Sequence, residues 1–484
     1  MKIKFKIIDL LHQAKYLKTL GLIAVFVFTT TIKGQNGNHN WQGFGSVTKG
    51  MAYNDYLNTV FHDTIDDLLY MGGLFTNVNN HFTPCIAAWN GTQWNPLDSG
   101  TYDNVWAITR YQNKIYVGGQ FRSVDYDNIP ANGIATWDGS QWDSLPISFK
   151  NNGNVLGFKE YNNELYVFGS FDTIGNIAMN SLAKWNGSQW SDVYNLPNFA
   201  SGNSIQGINE IEFYNGNLYI GGNFYNPTNN IRDIAMYDGT NWVSVGPAPG
   251  MYGGLNYIHD MEIYKGDLYV AGSIYKSAGN VGNFIQRWDG SQWHEVGGSL
   301  WGTQARCLLA HKDYLYVGGE FGWAGEDSIP AYSLARWDGS QWCAYDSYIN
   351  ASVIDLAIYK DTLIVAGGFS TIAGDTIHKI AKYTNGNWVD SCGALVGINN
   401  PLPNTQNSIL IYPNPANASV TIVTADDITE VKFYNALGQV VLSNTSMNNS
   451  KKVILNVQAY PMGMYTIQVK TRENQLLHQK LIIQ

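Results

Sequence analysis

Apolar and polar residues alternate in short runs through most of the chain, and the runs recur in a fixed order. One stretch reads Asp260-Met261-Glu262-Ile263-Tyr264, Lys265-Gly266-Asp267, Leu268-Tyr269-Val270-Ala271-Gly272-Ser273, a loop, Phe284-Ile285-Gln286-Arg287-Trp288, Asp289-Gly290-Ser291-Gln292 and Trp293-His294-Glu295-Val296. Short runs rich in β-branched and aromatic residues, bounded by Gly and Asx, predict four antiparallel strands. Asx-Gly supplies the positive φ angles of a tight hairpin, so Asp289-Gly290 is expected to fold the third strand onto the fourth. The same device stands at Asn186-Gly187, Asp238-Gly239, Asp338-Gly339 and Asn385-Gly386.

The unit occurs seven times, its third strand ending at Trp89, Trp137, Trp185, Tyr237, Trp288, Trp337 and Tyr383, a spacing of 46–52 residues. That period is the size of one four-stranded module in an array, and stacked modules share their cores with neighbours instead of dividing into separate domains. Most second strands end in paired glycines: Gly72-Gly73, Gly118-Gly119, Gly221-Gly222, Gly318-Gly319 and Gly367-Gly368. Such pairs allow close backbone approach or a bulge. Trp142, Trp190, Trp242, Trp293 and Trp342 are expected to fill the space between modules, each burying on the order of 150–250 Å². A strand ending in Gly-Gly followed by a Trp-bearing strand resembles the kelch-like and galactose-oxidase-like β-propellers, over roughly residues 41–392. The resemblance implies a seven-bladed β-propeller, with the glycines at its crowded axis. The added Asx-Gly-Ser/Thr-Gln-Trp hairpin departs from the kelch pattern, so the likeness concerns fold alone. Asn40-Trp41-Gln42-Gly43-Phe44-Gly45 reads as one fourth strand too many, since Trp388-Val389-Asp390 already serves the seventh unit. Either Trp41 or Trp388 must sit outside the regular pattern.

The two ends differ from the repeats. Lys2, Lys4, Lys6, Lys15 and Lys18 precede the apolar run Leu20–Phe28, which is short of the ~20 residues of a membrane span, so residues 1–35 read as a removable secretory signal. Residues 393–408, with two prolines and no repeat signature, read as a linker. Residues 409–484 hold about six alternating runs, which predict a small antiparallel β-sandwich. This segment contains Tyr412-Pro413-Asn414-Pro415, Tyr434-Asn435-Ala436-Leu437-Gly438-Gln439, Pro461-Met462-Gly463-Met464-Tyr465 and a terminal Lys480-Leu481-Ile482-Ile483. Four motifs in this order resemble the type A C-terminal sorting domain of type IX secretion substrates. The resemblance implies partners in the outer-membrane translocon and a sortase-like peptidase, with Tyr412, Pro413, Asn414, Pro415, Leu437, Gly438, Gln439, Gly463 and Tyr465 as sorting-motif residues. The expected class is therefore all-β: a seven-bladed β-propeller over 36–392, then a linker and a sorting domain. The expected location is extracellular or on the outer cell surface, with no stable membrane span after signal removal.

Composition narrows the function. Removing residues 1–35 takes away six Lys and one Asp and moves the formal net charge from -9 to -14. A nucleic-acid partner needs a cationic face, so this class is excluded. Cys85, Cys307, Cys343 and Cys392 are too scattered for a disulfide framework or a zinc motif, although Cys343 and Cys392 stand at near-equivalent positions in neighbouring units. No His-Glu-x-x-His, Gly-x-Ser-x-Gly or phosphate-loop pattern occurs, and the histidines occupy no repeated position. Nothing indicates a cofactor, a metal or a catalytic residue; copper chemistry of the galactose-oxidase kind would need a Tyr, His and Cys arrangement that the sequence does not fix. His259 and His311 fall in first strands, where they could face an axial channel. Variable loops between second and third strands are the expected place for specificity, with Tyr126, Tyr225, Tyr275 and Trp323 as aromatic candidates for ligand binding. Asp125, Asp127, Glu326 and Asp327 could meet a hard cation or a sugar hydroxyl. Asp-Ser/Thr-aliphatic triplets such as Asp63-Thr64-Ile65 and Asp375-Thr376-Ile377 resemble an O-glycosylation signal of bacteria with this secretion route, and serve equally as turns. The expected function is a secreted binding module for a glycan or protein. The alternatives are a secreted lyase, glycosidase or oxidase using the channel, or a structural surface protein.

Overall fold

A computed structural model describes residues 40–45, 47–48, 55–145, 149, 153–171, 173–174, 177–197, 207–226, 231–246, 257–276, 280–326, 329–345, 348–384, 409–412, 419–435, 439–444, 450–461, 463–472 and 476–483. Among the described residues every regular element is a strand and no α-helix occurs. The chain divides into two compact units, Met1–Cys392 and Gly393–Gln484.

Among the described residues, seven antiparallel sheets, six of four strands and one, the sixth in order, of five, succeed one another in the first unit in a propeller-like arrangement. Their first strands are Tyr56–Asp63, Val105–Tyr111, Asn154–Tyr161, Ile208–Tyr214, Ile258–Tyr264, Leu300–His311 and Val353–Tyr359. Each first strand neighbours those of the preceding and following sheets, and the seventh neighbours the first. Strands in six sheets follow chain order. In the seventh, Val353–Tyr359, Thr362–Gly367 and Ile380–Tyr383 are completed by Trp41–Gly43 from the other end of the unit, with Trp41 opposite Tyr383. Trp41 therefore takes the fourth-strand place, and Trp388 lies outside the described residues.

Local chemistry explains the repeated form. Asp138 accepts hydrogen bonds on Oδ1 from the backbone N of Ser140 (2.8 Å) and Gln141 (2.9 Å) and from Ser140 Oγ (2.8 Å), while Gly139 has φ +101°. Asx-Gly closes the third strand onto the fourth as expected, in a four-residue loop from Asp138 to Gln141. Only the glycine needs positive φ, and the Asx residue acts instead as an acceptor that satisfies two loop N–H groups. Trp137 and Trp142 then face each other across the hairpin, their rings 5.3 Å apart. Trp142 donates its indole N–H to Leu97 O, just past the fourth strand of the preceding sheet, at 2.9 Å. The same inter-sheet bond joins Trp94 to Phe44 O, Trp242 to Tyr194 O, Trp293 to Val245 O and Trp342 to Val296 O. Trp142, Trp242 and Trp342 are buried, whereas Trp190 and Trp293 are half-buried.

The paired glycines serve two contacts. A Cβ on Gly118 would stand 2.6 Å from Val155 Cγ1 of the next sheet, and one on Gly119 would stand 2.1 Å from Asn104 O of its own. In the seventh sheet the two crowded places sit one residue earlier than read from the sequence. Gly367 meets Ser352 O, Ala366 occupies the first place, and nothing crowds Gly368. Only the second place is closed to a side chain by backbone.

In the second unit the long strand Ser419–Tyr434 is the pivot. Its first half pairs with Ile409–Tyr412 and Ser450–Asn456; its second half pairs with Val440–Asn444 and Gly463–Thr471, and the last pairs with Leu476–Ile483. Val420, Ile422, Val431, Phe433, Ile467, Val469 and Leu481 are fully buried in one core. Of the sorting-motif residues, Tyr412 ends a strand, Gly463 opens one, and Tyr465 is buried with its hydroxyl donating to Pro461 O at 2.7 Å. Gln439 closes a turn, its backbone N donating to Asn435 Oδ1 at 3.0 Å. Pro413, Asn414, Pro415, Leu437 and Gly438 lie outside the described residues.

Candidate functional site

Each first strand carries a register shift opposite the end of the second, and the residue just after it is Thr59, Ala107, Gly157, Glu210, Asp260, Cys307 or Asp355. Three of the seven are acids, and two of these clamp neighbouring sheets. Asp260 accepts from Met261 N (2.7 Å) and from Leu308 N of the sixth sheet (2.6 Å). Asp355 accepts from Leu356 N (2.7 Å) and from Val60 N of the first sheet (2.8 Å), which ties the seventh sheet to the first.

Glu210 and Glu212 from the fourth sheet and Asp260 and Glu262 from the fifth gather with Lys159 of the third, whose ammonium lies 2.5 Å from Glu212 Oε2. Glu210, Asp260 and Glu262 keep partial solvent contact although protein surrounds them, as groups lining an internal channel would. Burial, then neighbouring acids, pushes the Glu262 carboxyl up to about 8 and Glu210 well above its ordinary value. Burial raises Asp260 to about 7 and Asp355 to about 6, against the pull of their backbone N–H donors. Burial opposes the Lys159 ammonium, but Glu210, Glu212 and Glu262 outweigh it and hold its pKa above the ordinary lysine value. His259 is kept neutral by burial and by Arg306, its pKa falling to about 4, and its Nε2 meets Gln304 Oε1 at 2.9 Å. Carboxyls protonated near neutrality beside an ammonium can exchange protons at that pH. No group of three His, Cys, Asp or Glu side chains placed so as to hold a metal ion occurs among the described residues.

The two ends of the sheets differ. Asx-Gly loops and 1-to-2 turns occupy one end, and most of their residues are exposed and polar. The 2-to-3 loops and 4-to-1 connections occupy the other, and there lie Phe82, Tyr102, Tyr126, Tyr194, Tyr275, Trp301, Trp323 and Tyr348, the exposed aromatic residues of this unit among those described. Tyr126 is 65% exposed and stacks on Phe82 with ring centroids 6.0 Å apart. Tyr225 is covered by the Arg232 guanidinium, 4.4 Å from its ring centre. Tyr275 and Trp323 fall on adjoining sheets, and Tyr275 Oη donates to Thr303 O at 3.2 Å, two residues from Trp301. The four sequence candidates thus divide among three places. Asp125 and Asp127 sit in the Tyr126 turn, where Asp127 bonds the Ser123 hydroxyl, and Asp327 lies outside the described residues. Trp301 escaped the sequence reading because it precedes the recognisable start of its repeat. The axial acids carried a signal, apolar-x-acid-apolar in Ile208–Ile211, Ile258–Met261 and Val353–Leu356, visible only once the repeats are aligned on the register shift.

Cys343 is disulfide-bonded, and Cys392 lies outside the described residues; Cys85 and Cys307 are buried thiols outside any disulfide. No helix among the described residues is long and apolar enough to cross a membrane.

Residues 410–484 match a family described as the secretion system C-terminal sorting domain. The chain therefore ends in a type IX sorting domain, and the protein is secreted or displayed at the cell surface. No curated protein matches the sequence. Among solved structures, the chain is similar to the extracellular domain of a protein described as a one component system from B. thetaiotaomicron, at 11% identity and TM-score 0.42, covering 92% of this chain and 58% of that one. The chain thus spans under two thirds of that relative's length. It is also similar to the computationally designed Ika8 protein, at 10% identity and TM-score 0.40, covering 91% and 100% of the two chains. A third likeness is to the Bacteroides ovatus protein titled xyloglucan PUL GH43B, at 12% identity and TM-score 0.25, covering 80% and 90%.

Proposed function

We propose that residues 36–392 form a closed seven-bladed β-propeller, that 409–484 form a β-sandwich read by the translocon and a sortase-like peptidase, and that the exported ring is a binding module. Its ligand, a glycan or a protein, docks on the rim formed by the 2-to-3 loops and 4-to-1 connections. The observation that carries this reading is the one-sided placement of exposed aromatic residues. Aromatic rings left in water forgo burial that a folded chain otherwise takes, so their gathering on one rim marks a contact surface. Propeller closure is supported by Trp41 completing the seventh sheet and by the Asp355 clamp onto Val60 N.

A second reading, a secreted enzyme working in the axial channel, is favoured by the proton-exchanging group around Lys159. Against it, Asp260 is already engaged by two backbone N–H groups. One experiment separates the two. Purified secreted protein is screened on a glycan array and against surface extracts of the producing cell, and glycans retained are assayed for new reducing ends with wild type and Glu262→Gln. Retention without bond cleavage supports the binding module. Cleavage by wild type that is lost in Glu262→Gln moves the conclusion to the enzyme, and absence of any ligand in both screens supports a structural surface protein.

A further inference from the structure

We infer that Trp301, Trp323 and Pro330 of the sixth sheet form a platform for a neutral glycan, an inference that names the ligand class of the rim reading and rests on it. The strands Leu300–His311 and Tyr314–Ala324 continue past the register shift and are joined there by Ile329–Pro330, so three strands project at the rim. Trp301 stands opposite Trp323, and Trp323 opposite Pro330; one position along, Leu300 stands opposite Ala324, and Ala324 opposite Ile329. Residues directly opposite share a face, and successive residues alternate between faces. One row, with Leu300 and Ala324 fully buried, turns to the core. The other presents Trp301 and Trp323, 50% and 49% exposed, beside exposed Pro330.

Other copies of the same extension act as internal controls. In the seventh sheet Ile349 meets Ile372 and Thr371 meets Thr376, which makes the outward row Asn350, Thr371, Thr376. In the second sheet Thr101 meets Val124 and Ser123 meets Pro130, and the outward row is Tyr102, Ser123, Pro130. The first two inward residues are buried in all three, and the third is half-buried; the outward row varies in chemistry and, at Ser123, in exposure. The fold therefore has no need of two indoles at Trp301 and Trp323.

Neighbouring strands lie about 4.8 Å apart, so the row spans about 10 Å. Two linked pyranose rings fit that length, each laying its apolar C–H face on an indole. The fringe is polar and electrically balanced: Arg306 Nε and Nη2 donate to Glu320 Oε1 at 3.2 Å, and Thr303 Oγ1 donates to Glu320 Oε2 at 3.1 Å. Such a fringe meets sugar hydroxyls and leaves no uncompensated cation for a uronate or sulfate. Two half-exposed indoles offer about 200 Å² of apolar surface. A stable protein interface buries about 800 Å² per partner, about four times what this pair offers.

The test is affinity electrophoresis of the full secreted protein through gels containing dextran, laminarin or galactomannan, with alginate as the acidic control. Wild type should be retarded by at least one neutral polysaccharide, and Trp301→Ala/Trp323→Ala should weaken that retardation at least tenfold while its thermal transition is unchanged. The inference is overturned if wild type is retarded by none of the three, by alginate alone, or equally in the double variant. Tyr126→Ala separates the two levels of the claim. Binding lost there but kept in the tryptophan variant preserves the rim and removes the platform, whereas glycan binding untouched by either variant removes both.

Discussion

Asp355 should make the ring less stable as pH rises, and Asp355→Asn should remove that dependence. The carboxylate accepts from Leu356 N and from Val60 N, and burial lifts its pKa from 3.8 to about 6. Because the folded value exceeds the unfolded one, the fold keeps this proton over an interval in which the unfolded chain has lost it. The resulting stabilisation is complete below about pH 4 and disappears as pH passes through about 6. A gap of that size corresponds to roughly 3 kcal/mol. The amide presents one carbonyl acceptor, as the protonated carboxyl does, and does not titrate. The variant is therefore close to wild type at pH 4 and more stable than it at pH 8, the difference changing by roughly 3 kcal/mol across the range. Urea unfolding followed by tryptophan fluorescence measures this unit alone, because all 16 Trp precede Gly393. Asp260, Glu262 and Glu210 titrate in both proteins, so the difference between the two pH series reports Asp355 together with its repulsion of Asp260. A difference that stays constant within 1 kcal/mol from pH 4 to 8 would refute the burial argument.

The inter-sheet tryptophan bond can be weighed in the same assay: Trp342→Phe, losing the bond to Val296 O, should cost about 1 kcal/mol, and Trp342→Ala about 3–5 kcal/mol. Equal costs for the two would mean that packing around Trp342 is loose. Deleting residues 409–484 should hold the protein inside the cell envelope, measured by immunoblotting of medium and periplasm. Mass spectrometry of normally exported material should lack peptides from Val420 onward. A truncated form that reaches the medium at wild-type levels would contradict the role of the sorting domain.

The strands and turns were legible because they depend on neighbours in sequence: alternation sets the strand, and Asx-Gly sets the loop. The hairpin formed, but the positive φ expected of both residues is taken by Gly139 alone, because Asp138 contributes its side-chain oxygen and not its backbone angle. The glycine pair at Gly367-Gly368 was placed one residue late, since the requirement for glycine is backbone contact with Ser352 and the text shows only two glycines in a row. Of the four aromatic candidates, Tyr275 and Trp323 came to adjoining sheets while Tyr225 went under Arg232. Loop membership said which rim they share, and only packing decided their neighbours.

By itself the sequence determined the repeat, its period, the all-β class and the exported character, because each is written in spacing or in contiguous motifs. The tertiary structure alone decided that Trp41, some 340 residues from its partner Tyr383, completes the seventh sheet. It also decided that acids spaced about 50 residues apart meet around one lysine, and that two tryptophans share the solvent face of a three-stranded extension. Those relations are set by register and by cyclic contact between modules, and a one-residue change of register would turn every such side chain to the opposite face.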